Sequence, residues 1–392
     1  MPRRRLLIRG GILALPAGLS RSDVLCEGRR IVAIGRSLEA LGADTFDASG
    51  LTLGPGFIDV HVHGGGGHSF FRRDPDRIRA YSEWAPANGL TAYLISTIGR
   101  DEEETAAIFT DLASTVSSLP GAEPVGFHLE GPFINPARKG AFDPAMLRAP
   151  RPWEFDRYQA AARGFIRQVT FAPELPGALE LAAAIAASGA IPAMGHTDAT
   201  VDEARAGFDA GVRHVTHLFN AMRPIHQREG GPIVAALLEG SVTCELICDG
   251  AHVAPDPLRM AYRVLGPSRT VVVTDNLHLA GTGAGGGHFG GQAVEVSGAK
   301  AVRADGTIVG SVATIDEHFR NAVSLLGIDL PTAFRICATN PAKVAGVAES
   351  KGALERGFDA DVVMLDAELR VAATICRGEV AWNSDPARLG TA

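Results

Sequence analysis

PGFIDVHVHG (55–64) leaves a Gly-Pro turn, runs as a short apolar strand and ends on the pair His61 and His63. Alternate side chains of a strand share a face, so both imidazoles point the same way. The segment also opens a rhythm. GFIDVHV (56–62) is followed by LTAYLIS (90–96), PVGFHLE (124–130), RQVTFAP (167–173), AIPAMG (190–195), VRHVTHL (212–218), VTCELIC (242–248) and TVVVTD (270–275). Between them lie stretches of helical spacing or alanine-rich composition, such as LELAAAIAASG and VDEARAGFDAG. Strands alternating with helices imply parallel β/α units, and eight in succession predict an α/β fold of the (β/α)8 barrel type.

Both chain ends break the rhythm. Residues 1–53 and 352–392 are short strands and turns, and they are expected to form one small β-sandwich domain. The barrel, 54–351, is then an insertion between its halves, hinged at Gly54-Pro55-Gly56 and around Gly346 to Gly352. The arginine-led start, MPRRRLLIRGGILAL, imitates an export signal, but Arg9, Gly10 and Gly11 interrupt its apolar stretch. It reads more simply as the first strand of the small sheet.

Composition narrows the function. The chain has 392 residues, 46% hydrophobic and 21% charged, which excludes disorder and collagen. Its net charge of -7 offers no bulk attraction to nucleic acid or an anionic membrane, so a small molecule is the expected partner. No run approaches the roughly 18 to 20 apolar residues of a membrane span. Five scattered cysteines make neither a disulfide framework nor a zinc ribbon, and a reduced cytoplasm is expected. Cys244 and Cys248, roughly 13 Å apart along a strand, read as core.

Barrel active sites gather where strands end. Six of the eight predicted strand ends carry a ligand-type residue: His61 and His63, Glu130, His196, His217, His252 in the loop after the seventh, and Asp275. His-x-His alone is a weak signal, and its plain reading is a solvated pair. Convergence with Glu130, His196, His217 and Asp275 at equivalent barrel positions makes a metal site the better reading. Such donors suit Zn2+ first, with Fe2+, Co2+ or Mn2+ as alternatives, and one or two ions are expected.

The motifs PGFIDVHVHG (55–64), GFHLEGPFINPARKGAF (126–142), MGHTDAT (194–200), THLFNAM (216–222), CDGAHV (248–253), VVTD (272–275) and ATNPAK (338–343) together resemble the N-acetylglucosamine-6-phosphate deacetylases of the amidohydrolase superfamily. The resemblance implies hydrolytic deacetylation of N-acetyl-D-glucosamine 6-phosphate. It implies that Glu130 stands where other amidohydrolases use a carbamylated lysine, binding metal with His196 and His217, and that His61, His63 and Asp275, with Glu130 shared, can hold a second ion. Asp275 would take the proton of the attacking water and return it to the leaving amine, with His252 steadying the oxyanion. Substrate contacts are implied for Ala141, Phe142, Asn220, Ala221, Arg228, Asp249, Gly250, Ala251, Ile308, Val309 and Gly310. Asn220, the Ala221 backbone and Arg228 would hold the phosphate, with Arg228 able to come from a neighbouring subunit of a homodimer.

Departures from the pattern gather at the mouth. Phe142 stands where the family usually has a sugar-binding histidine, Asn276-Leu277-His278 replaces small residues, and LISTIGRD (94–101) replaces an apolar-Pro-Thr continuation. Phenylalanine cannot hydrogen-bond a hydroxyl, which leaves a related N-acyl compound such as the galactosamine epimer as an alternative substrate. A non-catalytic sugar-phosphate binder is the remaining alternative, disfavoured by the complete ligand set. His128 reads as an interior or supporting histidine, and His226 either assists the phosphate or is solvated. The glycine-rich GTGAGGGHFGG (281–291) has no helix behind it, so it reads as a mobile loop over the mouth and not as a dinucleotide fingerprint.

Overall fold

The computed structural model describes residues 4–117 and 119–390, so the first three residues of the arginine-led start lie outside it. Eight parallel strands form the central sheet, each bonded to its neighbour in chain order. They are Phe57–Val62, Leu90–Thr97, Glu123–Glu130, Ile166–Phe171, Ile191–Met194, His214–Val215, Thr243–Ile247 and Thr270–Val273. The ring closes because the Asp275 N–H donates to the His61 carbonyl at 2.9 Å and the His63 N–H donates to that of Asn276 at 2.9 Å. The fold is a (β/α)8 barrel with an added β-sandwich.

Local chemistry sets the helices between strands. Asp74 caps Pro75–Trp84, whose first turn takes proline without losing a bond. Thr200 and Glu203 make a reciprocal capping box on Val201–Asp209. Ala178–Ala187, rich in alanine, buries Ala178, Leu181, Ala182 and Ile185, the 3.6-residue stripe of a helix lying on a sheet.

The small sheet draws on both chain ends. Its path runs Glu379–Asn383, Val371–Cys376, Val362–Leu365, Thr52–Pro55, Arg5–Leu15, Gly18–Glu27 and Arg30–Gly35. Thr52–Pro55 is the seam, parallel to Arg5–Leu15 and antiparallel to Val362–Leu365. Leu6, Ile8, Leu13, Val24, Phe46, Leu53, Val362 and Ile375 fill the core of this domain.

Beneath the barrel, Lys351 Nζ lies within 2.6 Å of Glu123, 2.7 Å of Asp361 and 2.9 Å of Asp359, with its side chain 3% exposed. Arg29, from the turn between two small-sheet strands, makes two bonds to Asp359, at 2.8 and 2.9 Å. Glu123 begins the third barrel strand, so these ion pairs tie the sandwich to the barrel's base. All five cysteines are buried and free.

Two expectations are corrected. The sixth strand is not VRHVTHL in full: only His214–Val215 joins the ladder. His217 follows in a turn at φ 31°, where its N–H is taken by the Glu245 side chain and the next N–H by the Glu245 carbonyl. The segment 281–291 is not a loop throughout. Gly286–Phe289 pairs with Gln292–Ser297 and extends through Lys300–Val302 to Ile308–Ser311 as a four-stranded antiparallel sheet. Gly290-Gly291, both at positive φ, make the two-residue turn that right-twisted hairpins favour. Weak alternation and abundant glycine hid these strands from a reading based on propensity.

Candidate active site

Each ligand-type residue sits where the chain leaves the sheet. His61 is the penultimate residue of the first strand, His63 follows that strand, and Glu130 is the last residue of the third. His196, His217 and Asp275 lie just past the fifth, sixth and eighth, at φ 49°, 31° and 52°. Non-glycine residues rarely adopt this left-handed region, and it costs of order 1–3 kcal/mol each unless surrounding contacts enforce it. Here each sharp turn redirects a side chain from the strand into the mouth.

The six residues form two adjoining groups, His61, His63 and Asp275, and Glu130, His196 and His217, each with ligand atoms within 4.8 Å of one another. Glu130 joins them: Oε1 lies 3.1 Å from His196 and His217 Nε2 and 3.4 Å from His61 Nε2, while Oε2 lies 3.2 Å from His63 Nε2. Asp275 Oδ1 stands 3.5 Å from His61 and 3.3 Å from His63.

Tautomers show what these groups await. His61 Nδ1 donates to Glu245 at 2.8 Å, His63 Nδ1 to the Ser96 carbonyl at 3.0 Å, and His196 Nδ1 to the Arg138 carbonyl at 2.9 Å. In the neutral rings each Nε2 is therefore a bare lone pair facing carboxylates and other imidazoles. His196 and His217 Nε2 approach to 3.1 Å, and His61 and His63 Nε2 to 3.3 Å. Acceptors converging so closely in a buried space require positive charge between them, as protons or as metal cations. Burial alone would push the His61 and His63 imidazoles down. Surrounding carboxylates outweigh it, Glu245, Glu130 and Asp275 holding His61 well above its ordinary value and Asp275 and Glu130 holding His63 at about 9. Glu130 is held well below the usual carboxylate range, its burial outweighed by His61, His196 and His217. The donor set fits divalent transition metal ions.

Beside this centre, His252 Nδ1 lies 2.6 Å from Asp249 Oδ2, and its side chain is 3% exposed. Ser311 links this pair to Asp275: its hydroxyl donates to Asp249 at 3.1 Å and its backbone N–H to the Asp275 carbonyl at 2.9 Å. Gly310 must lack a side chain, because a Cβ there would lie 2.7 Å from that same carbonyl. Phe142 is half-buried, its ring meeting His196 edge to face at 5.2 Å. Ala141 accepts from Arg303 of the small antiparallel sheet at 2.9 Å, and Val309 belongs to that sheet's apolar cluster. Asn220 Nδ2 donates to the His217 carbonyl at 3.3 Å, and Ala221 turns at φ 50°. Gly250 is exposed, and Ala251 and Ile308 are half-buried. Arg228 is exposed on its loop, its backbone N–H bonded to His226 Nδ1. His128 is an interior group, bonded to Ser96 at 3.0 Å and Thr170 at 2.8 Å.

Sequence reasoning missed the layer below. Glu245, Gln168, His214, Thr170 and Thr216 are fully buried and hydrogen-bonded under the histidines. The available signal was a carboxylate in the apolar strand VTCELIC, since a buried acid needs partners.

A barrel that gathers histidines and carboxylates around cation-seeking gaps at the ends of its strands defines the class of metal-dependent hydrolases. Residues 52–381 match the model of the amidohydrolase family, and the chain belongs to that family, in the branch of the N-acetylglucosamine-6-phosphate deacetylases. It is similar to the Bacillus subtilis N-acetylglucosamine-6-phosphate deacetylase, 36% identical over 85% of each chain. The Escherichia coli O157:H7 N-acetylgalactosamine-6-phosphate deacetylase is 31% identical over 88% of this chain and 92% of its own. In structure the protein is similar to a mutant of the Mycobacterium smegmatis N-acetyl-D-glucosamine-6-phosphate deacetylase in complex with N-acetyl-D-glucosamine-6-phosphate. Their TM-score is 0.89 at 36% identity, covering 97% of this chain and all of that one. The protein is a hydrolase of amide bonds.

Proposed function

We propose that the protein removes the N-acetyl group of N-acetyl-D-glucosamine 6-phosphate, giving D-glucosamine 6-phosphate and acetate. The observation that carries this reading is the convergence of both ligand groups on Glu130, next to the His252–Asp249 pair. Glu130, His196 and His217 would hold one divalent ion, and His61, His63 and Asp275, with Glu130 shared, a second. Zn2+ is the proposed occupant, and Fe2+, Co2+ or Mn2+ suit the same donors. When bound, such ions polarise the amide carbonyl and lower the pKa of water, which makes attack feasible at neutral pH.

The chain's own residues do the rest. Asp275 accepts the proton of the attacking water as its oxygen bonds to the acyl carbon. It then delivers that proton to the amide nitrogen, without which the C–N bond has no adequate leaving group. His252 donates to the carbonyl oxygen as charge develops there, with the buried Asp249 carboxylate as its countercharge. Asn220, the Ala221 N–H and Arg228 are assigned to the phosphate; the planar guanidinium can make two bonds to its oxygens. Ala141, Phe142, Gly250, Ala251, Ile308, Val309 and Gly310 are assigned to the sugar and acyl group. A homodimer in which Arg228 reaches the neighbour's site accords with its exposure here, and five free thiols accord with a reduced cytoplasm.

A second substrate, the galactosamine epimer, is favoured by one observation: Phe142 sets an apolar ring against His196 where a hydroxyl-binding group would select between epimers. Acetate release from phosphorylated and unphosphorylated N-acetyl sugars, with metal content measured on the same sample, tests both readings. Release from neither 6-phosphate would overturn them.

A further inference from the structure

We infer that Glu245 is a positioning residue that anchors both ligand groups to one point in the barrel core. It lies mid-way along the seventh strand and is fully buried. Oε2 accepts from His61 Nδ1 at 2.8 Å and from the backbone N–H of His217 at 2.9 Å. Oε1 accepts from Gln168 Nε2 at 2.8 Å and lies 3.0 Å from His214 Nε2. The oxygen that matters is Oε2, because His61 belongs to one group and His217 to the other.

Two consequences follow from that shared atom. A carboxylate on Nδ1 holds the His61 proton there and turns Nε2, as a more basic lone pair, toward Glu130 and Asp275. A bond to the N–H of His217 secures a residue in the left-handed region, where the turn would otherwise relax and swing its imidazole away. Packing alone does not call for a carboxylate here, since burying one is costly unless it is fully bonded, and an apolar residue would fill the same space. The role rests on reading the two groups as metal ligands.

Glu245→Gln isolates the charge. Its one acceptor oxygen can remain on His61 and His217, while its NH2 meets Gln168 Oε1, which has no partner among the described residues, and a His214 in its other tautomer. Zn2+ titration of chelator-treated protein should show affinity falling about 10- to 100-fold relative to wild type, as for other groups that orient metal-binding histidines. Steady-state kinetics should place the loss in kcat, with KM changing less than about threefold. His214→Gln, which disturbs only Oε1, is the control: it should lower the Tm of the metal-free protein yet move Zn2+ affinity less than about twofold. Unchanged affinity in a folded Glu245→Gln, or an equal loss in His214→Gln, would overturn the role.

If Glu245→Gln does not fold, the wild-type protein decides. Its imidazole nitrogen-15 shifts, with His61 assigned through His61→Gln, should show His61 protonated at Nδ1; protonation at Nε2 in the Zn2+-loaded protein overturns the role. A wild type that takes up no metal defeats the ligand reading and this role with it. A wild type that binds metal beside an unaffected Glu245→Gln defeats this role alone.

Discussion

Asp275 does three things in a small space. Its backbone helps close the barrel, its φ of 52° turns the side chain inward, and Oδ1 lies within 3.5 Å of both His61 and His63. Asp275→Asn keeps the shape but cannot carry the water's proton, so kcat should fall by about 10³ to 10⁴. Retention of more than about a tenth of the rate would remove the proton-carrying role. Phe142 is the second decisive residue. A site with a matching polar group rejects the wrong hydroxyl arrangement far more strongly than an apolar wall does. Comparable kcat/KM is therefore expected for the glucosamine and galactosamine epimers, with Phe142→His shifting the ratio toward glucosamine. A wild type that already prefers glucosamine several-hundredfold, unaltered by Phe142→His, would make Phe142 a packing residue.

At the scale of elements, a four-stranded antiparallel sheet between Gly286 and Ser311 accompanies the eight parallel strands of the barrel. Leu277, Leu279, Val294, Ala301 and Val309 give it a small core of its own, and Arg303 bonds it to the Ala141 carbonyl beside Phe142. Arg303→Ala removes one charge-assisted bond, worth about 1.5–3 kcal/mol. Because the bond positions the loop proposed above to contact substrate and not the candidate ligands, KM should rise about 5- to 20-fold with kcat nearly unchanged. A matching fall in kcat with constant KM would show that the sheet acts on the chemistry instead. This sheet was also the least legible element in the sequence. The barrel strands, buried on both faces, read as apolar runs. The hairpin strand Gln292–Ser297 buries only Val294 well, and its partner is half glycine.

For the whole molecule, the candidate metal ligands and the buried ion pairs lie at opposite ends of the barrel. Two metal equivalents per chain are expected by elemental analysis of protein purified without chelator; a value near one that does not rise on adding metal would reject a binuclear centre. At the base, Lys351 balances Glu123, Asp359 and Asp361. Lys351→Met leaves three carboxylates close together and poorly compensated, so stability should drop by about 3–5 kcal/mol. Denaturant unfolding of the metal-free protein measures this. Burial would raise Glu123 and Asp359, but Lys351, Arg29 and, for Glu123, Arg377 outweigh it and hold both below their ordinary values. Their stabilisation is thus present above the unfolded pKa of about 4 and is lost as pH falls through the lower folded values. Wild type should lose stability in acid over that window. Lys351→Met, already without the pairing, should lose less.

Residue types and their short-range periods are properties of the chain itself. For that reason the sequence alone determined the eight-strand rhythm, the His, Glu and Asp at the strand ends, and the separate character of the two termini. Partners distant in the chain are another matter. His61 and Glu245 lie 184 positions apart, and Arg29 and Asp359 lie 330 apart, so no local pattern announces either bond. Tertiary structure alone decided which imidazole nitrogen faces the centre and that Glu245 anchors both groups. It also decided that the sixth strand breaks early to aim His217. Each depends on burial and hydrogen bonding in three dimensions, where a buried polar atom must find its partner wherever the chain brings one.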